Sequence, residues 1–198
     1  TENQRGLAHF MEHMNFNGTK NFKKNNLVDF LEKSGIKFGA DLNAYTSFDE
    51  TVYMLPVPTD TLAKLDKFVN VLSDWAAYAT LDGSEIDKER GVVLEEARLR
   101  KGAQTRIQNQ LLPVIFRGSK YADRLPIGLD SIIQNAPYQS VKDFHKAWYR
   151  PDLEGVIAVG DFDVAKMEAM IKKHFGGIPK VSNPQKRVEY SVPLKGGT

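Results

Sequence analysis

The 198-residue sequence contains no cysteine, which excludes disulfide staples and thiolate metal ligands and leaves any metal site to imidazole and carboxylate. It also has no apolar run approaching the roughly 18 residues a helix needs to cross a bilayer. The opening residues Thr1-Glu2-Asn3-Gln4-Arg5 lack the pattern of a signal peptide. No transmembrane segment is expected. An excess of one charge is missing too: 27 basic against 25 acidic side chains leave a formal charge of +2, too weak a field to gather nucleic acid. Histidine is scarce, with four in the chain, so where those four stand is informative.

What is present is ordinary for a globular protein of one domain or two small ones, at 41% hydrophobic and 26% charged residues. Residues 6 to 14 carry Leu7, Phe10, Met11 and Met14 at three- and four-residue spacing, which predicts a helix. A polar loop from Asn15 to Asn26 precedes a short helix bearing Leu27, Val28, Phe30 and Leu31, stopped by Gly35. Strand formers between Ile36 and Val57, interrupted at Ser47-Phe48-Asp49-Glu50, predict a β-hairpin. Thr59-Asp60 is placed to cap a helix with Leu62, Leu65, Phe68, Val69, Leu72, Trp75 and Ala76 on one stripe.

A further helix is expected from an N-cap at Ser84 through Arg100, breaking near Gly102 or Pro113. Short helices follow near 130–135 and 140–148. Val156-Ile157-Ala158-Val159-Gly160 reads as a buried strand, and 163–175 as a last amphipathic helix. Helices and hairpins interleave without βαβ repetition. That order predicts an α+β fold with a mainly antiparallel sheet covered by helices. The expected domain is 1–183, with a lead-in strand missing upstream of a helix that starts so early, and 184–198 as a linker toward a following domain.

Two of the four histidines stand four apart, His9 and His13, and so project from one helix face toward a common point. Glu12 lies between them. This order, His-x-x-Glu-His, is that of the inverted zincins, and in a chain of this composition it arises by chance about half a percent of the time. Imidazole suits zinc, and a catalytic zinc site uses three protein ligands with an open position for water. The third ligand must come from elsewhere. The helix around Glu89-Arg90-Gly91-Val92-Val93-Leu94-Glu95-Glu96 offers Glu89 and Glu96, seven apart on one face, while Glu95 points away. Val92 and Val93 suggest that this face is buried, where a carboxylate needs a metal, a partner charge or hydrogen bonds. His145 and His174 lie on other helices and are not assigned to the site.

The blocks Gly6 to Met14, Phe16-Asn17-Gly18-Thr19, Leu42-Asn43-Ala44-Tyr45-Thr46-Ser47, Glu89 to Glu96, Tyr149-Arg150-Pro151 and Val159-Gly160-Asp161 resemble, in order, those of the pitrilysin/insulinase-type metallopeptidases, the group that includes mitochondrial processing peptidase. The resemblance covers nearly the whole chain. It implies His9 and His13 as zinc ligands, Glu12 as general base, Glu96 as third ligand and Glu89 as a supporting acid in the catalytic set. Spacing alone would select Glu89 as ligand, because the gap from His13 is longer than usual. The Glu-Arg-x-Val-x-x-x-Glu pattern places the ligand at its end, with 35–40 as an insertion absorbing the excess.

The resemblance further implies that Asn43, Ala44 and Tyr45 belong to an edge strand that pairs with the backbone of a peptide or unfolded polypeptide substrate. It also implies a second homologous half enclosing the chamber, without which these 198 residues would be inactive, and it favours a bacterial periplasmic or envelope setting. The expected activity is zinc-dependent peptide-bond hydrolysis. The competing readings are a non-catalytic scaffold or chaperone-like member of the same fold and a structural metal-binding module.

Overall fold

The computed structural model describes residues 1–36 and 43–193; the stretch 35–40 read as an insertion, and Leu42 of the strand motif, lie wholly or largely outside the described residues. The elements in chain order are α1 (Leu7–Met14), α2 (Lys24–Lys33), β1 (Asn43–Thr46), β2 (Thr51–Met54), α3 (Leu62–Ala77), α4 (Gly83–Leu99), α5 (Ala103–Ile115), α6 (Asp130–Asn135), α7 (Tyr138–Trp148) and α8 (Val164–Phe175). Among the described residues the sheet is the antiparallel hairpin β1–β2, with Asn43 opposite Met54 and Thr46 opposite Thr51. The class is α+β with helices dominant.

An eight-residue helix such as α1 is too short to persist in water by itself. Its apolar side chains supply the anchor. Leu7, Phe10, Met11 and Met14 are each at most 1% exposed, and burial of such side chains contributes about 1.5–3 kcal/mol each. They pack with Ile86 and Val93 of α4, Ile133 of α6 and Val141 of α7. The start of α1 is fixed by Gly6, whose φ of +96° is a left-handed conformation that glycine adopts without penalty. A side-chain carbon there would meet the Cα of Gly128 at 2.8 Å, so two glycines allow the chain at 128 to press against the helix entry.

A second cluster joins Leu27 and Leu31 of α2 to Phe68, Val71 and Trp75 of α3, with Tyr53 of β2 against it. A third sets Leu65 and Val69 of α3 against Met167 of α8. The helix α3 is therefore shared between two clusters, and its stripe runs through Leu65, Phe68, Val69, Leu72 and Trp75, while Leu62 stays half exposed.

Several expectations shift. The cap of α3 is Thr61, whose hydroxyl accepts from the Lys64 amide at 3.4 Å, rather than Thr59-Asp60. The residue before α4 is Asp82 instead of Ser84. That helix ends before Gly102, and Pro113 sits inside α5 without breaking it. The run 156–160 forms no strand among the described residues, and Ile157 and Val159 are 86% and 91% exposed. Apolar β-branched composition reports a suitability for pairing, and a ladder still needs a neighbour to supply its hydrogen bonds. Val92 is likewise exposed at 52%, while Val93 is fully buried: one residue turns the side chain by about 100° around the helix, enough to leave the core.

Candidate metal centre

On α1, His9 and His13 come together as the four-residue spacing requires, their ring centroids 4.8 Å apart and nearly perpendicular. The helix α4 runs against α1 and brings two carboxylates to this pair. Glu96 reaches both rings at Nε2, with Oε1 3.6 Å from His9 and Oε2 3.2 Å from His13. Glu89 meets the opposite nitrogen of His13, its Oε1 lying 2.9 Å from Nδ1. The two glutamates thus share a helix face and address different edges of one imidazole. Glu95 turns outward to pair with Arg98.

One ligand atom each from His9, His13 and Glu96 lie within 4.8 Å of one another. Ligands bound at about 2.0–2.1 Å around a tetrahedral zinc ion stand about 3.4 Å apart, and the two nitrogen–oxygen separations above bracket that value. The donor set is one zinc favours, two imidazoles and a carboxylate. Glu12 lies beside it, and Thr46 of β1 donates to its Oε2 at 2.5 Å. These residues line an open cleft of about 370 Å³ together with Ala44, Tyr45 and Thr46 of β1 and Arg100, Pro126 and Ile127. Asn43 occupies the start of the same strand, exposed.

The electrostatics follow from this packing. Burial, reinforced by the charge of His13, pushes the His9 imidazole down to about 4, which keeps it neutral and its lone pair available near pH 7. Burial alone would lower His13 as well. The hydrogen bond His13 donates to Glu89 and the nearby carboxylates of Glu89, Glu96 and Glu12 outweigh that, and its pKa rises. Burial raises the Glu12 carboxyl above its ordinary value, against the opposing pull of the Thr46 hydrogen bond.

Support for this cluster comes from further out. Asn17 donates to Glu89 Oε2 at 2.6 Å, so Glu89 is clamped between a ring nitrogen and an amide. Arg100 reaches Glu96 Oε1 at 2.5 Å from the solvent side. Arg90 leaves the site altogether, donating to the carbonyls of Ile133 and Ala136 and tying α4 to the end of α6. His145 and His174 stand apart, the first stacked on Tyr149 and the second bonded to Asp66 at 2.9 Å.

The links from Thr46, Asn17 and Arg100 were not assigned from sequence. Arg100 had a local signal in its four-residue spacing from Glu96, and Thr46 one in sharing the inward alternation of Ala44. Asn17 had none beyond the motif that contains it.

The sequence model of the insulinase family, peptidase family M16, matches residues 1–125, and that of the peptidase M16 inactive domain matches residues 135–198. The chain belongs to peptidase family M16. It is 37% identical over 187 residues to the probable zinc protease PqqL of Escherichia coli, covering 94% of this chain and 20% of that protein. It is 38% identical over 193 residues to the zinc protease PQQL-like of Arabidopsis thaliana, covering 97% and 20%.

Among solved structures, the first half of the periplasmic protease PqqL from Escherichia coli superposes with a TM-score of 0.89 at 37% identity, over 95% of this chain and 40% of that one. Pitrilysin superposes with a TM-score of 0.75 at 25% identity, over 95% and 20%. The chain thus spans about a fifth of the length of the curated relatives it matches. Among the described residues no helix is long and apolar enough to cross a membrane.

Proposed function

We propose that this segment carries the catalytic zinc site of a peptidase, with His9, His13 and Glu96 as the ligands, and that the whole protein hydrolyses peptide bonds. The observation that carries the reading is the convergence of the two Nε2 atoms and the Glu96 carboxylate beside Glu12 in one cleft. His9, His13 and Glu96 would hold a zinc ion, which when bound would supply Lewis acidity toward the scissile carbonyl and would lower the pKa of water toward about 7. Glu12 takes the proton from the attacking water and returns it to the leaving amine, a role that needs one carboxylate within reach of both atoms. Glu89 holds His13 through Nδ1, directing the opposite nitrogen toward the ligand cluster.

In this reading β1 receives the substrate. Ala44 and Tyr45 line the cleft and Asn43 opens the same strand, and an extended peptide added to that strand gains affinity from main-chain hydrogen bonds. A second half of the protein closes the chamber, so the 198 residues alone are inactive. The support is that the chain covers a fifth of its relatives and superposes on part of what is named the first half of PqqL. That relative is described as periplasmic, and an envelope location is proposed here too, to be checked by cell fractionation.

The test is Glu12→Gln in the full-length protein. Zinc content measured by elemental analysis should stay at one ion per site, while turnover of a quenched fluorogenic peptide falls by roughly 10²–10⁴-fold or more. Full turnover in that variant would remove Glu12 from the mechanism.

A further inference from the structure

The carboxylate of Glu12 sits at the end of a flexible side chain, and a hydrogen bond that aims it comes from the hairpin. Thr46 donates its hydroxyl to Glu12 Oε2 at 2.5 Å, the short distance expected of a hydroxyl bonded to an ionised acceptor. Strand alternation turns Ala44 and Thr46 inward while Asn43 and Tyr45 are exposed. The donor is rigid: threonine is branched at Cβ and restricted at χ1.

Behind it, the Thr51 hydroxyl lies 3.2 Å from Thr46 Oγ1, on the residue directly opposite in the register. A carboxylate only accepts, and a hydroxyl has one proton to give. With Thr46 committed to Glu12, the Thr51 hydroxyl must be the donor of the second bond. The chain is therefore directional, Thr51 to Thr46 to Glu12. It crosses from β2 through β1 to α1.

We propose that Thr46 is a positioning residue for Glu12, fixing the carboxylate from the strand on which the substrate backbone docks, so that strand placement and base orientation are set together. This rests on the reading of Glu12 as the base. Substrate pairing along Asn43 to Tyr45 immobilises the strand that carries the Thr46 hydroxyl, one residue beyond. The base is then held firmly when a peptide lies in place. Such a role acts on the rate of the bound complex, since the Thr46 side chain holds a group that reacts and main-chain pairing along the strand does not use its hydroxyl.

The experiment compares Thr46→Val, which keeps the shape and removes the hydroxyl, with Thr46→Ser, which keeps the hydroxyl and removes the methyl, in the zinc-loaded full-length protein. A quenched fluorogenic peptide cleaved by the unsubstituted protein serves as substrate. The expected result is a fall in kcat of about tenfold or more for Thr46→Val with KM within about twofold, and recovery to within about threefold of the original kcat for Thr46→Ser. Zinc content should be equal in all three. Crystal structures should show one Glu12 rotamer in the original and the serine variant, and a displaced or split rotamer in the valine variant.

The proposal is overturned if Thr46→Val turns over at the original rate, if the serine variant is as impaired as the valine one, or if the loss lies in KM alone. A Glu12→Gln control separates the two ideas. If Glu12→Gln is inactive while Thr46→Val keeps the full rate, only the positioning role fails; if Glu12→Gln keeps its activity, the reading of the base fails first.

Discussion

Glu89 accepts from Nδ1 of His13 at 2.9 Å while Glu96 stands 3.2 Å from Nε2 of the same ring. An imidazole bonded to a carboxylate on one side is fixed in tautomer and orientation, with the lone pair of the other nitrogen presented opposite. Replacing Glu89 by Gln should therefore weaken zinc binding by about 10–100-fold without removing a ligand. A chelator competition titration in the full-length protein measures it. Affinity within about threefold of the original would deny Glu89 this supporting role.

Asp74 organises the chain just beyond α1. It is fully buried on α3 and accepts from the Thr19 hydroxyl at 2.6 Å and from the backbone and side-chain nitrogens of Asn21 at 2.8 Å each. Asp74→Ala would leave the buried Thr19 hydroxyl without this acceptor, an unsatisfied group that costs about 1–3 kcal/mol, while the exposed Asn21 turns its nitrogens to water. The expected loss is about 1–3 kcal/mol, read from the shift of the urea unfolding transition. Asn17, which clamps Glu89, stands two residues before Thr19, so zinc affinity should weaken in the same variant. A transition unmoved by the substitution would contradict this.

His145 provides a pH prediction. Burial holds its imidazole down to about 4, and its Nε2 has no hydrogen-bond partner among the described residues. The folded state therefore binds the neutral form, whereas the unfolded chain takes up a proton below about 6.5. The stability tied to this group is complete above about pH 6.5 and is lost as the pH falls toward 4, with a ceiling on the order of 3 kcal/mol. His145→Phe keeps a ring against Tyr149 and removes the titration. It should flatten the acid limb of melting temperature against pH between about 6.5 and 4; an unchanged limb would show that the group is not held neutral.

Much of the helical framework can be read directly from residue spacing. Leu7, Phe10, Met11 and Met14 announce α1, and the stripe of α3 announces its buried face, because a period of 3.6 is a local property of the chain. Glu89 and Glu96 share a face for the same reason. Ends and neighbours are less legible. Thr59, Asp60 and Thr61 all have capping side chains, and the choice of Thr61 depends on where the hairpin releases the chain. At 156–160 the composition expresses a preference for strand without naming a partner, and exposed Ile157 and Val159 show that burial does not follow from apolar character alone.

By itself, then, the sequence determined the chemistry available and its local geometry: no thiolate, two imidazoles one helical turn apart, and a carboxylate between them on the same short helix. Only the tertiary structure decided which nitrogen each distant glutamate faces and which hydroxyl holds Glu12. Those partners lie 76 residues from His13 in the case of Glu89 and 34 from Glu12 in the case of Thr46. Helical periodicity reaches a few residues, while contacts across such distances are set by how α4 and the hairpin pack against α1, where burial of Phe10, Met11 and Val93 fixes the angle and register of approach.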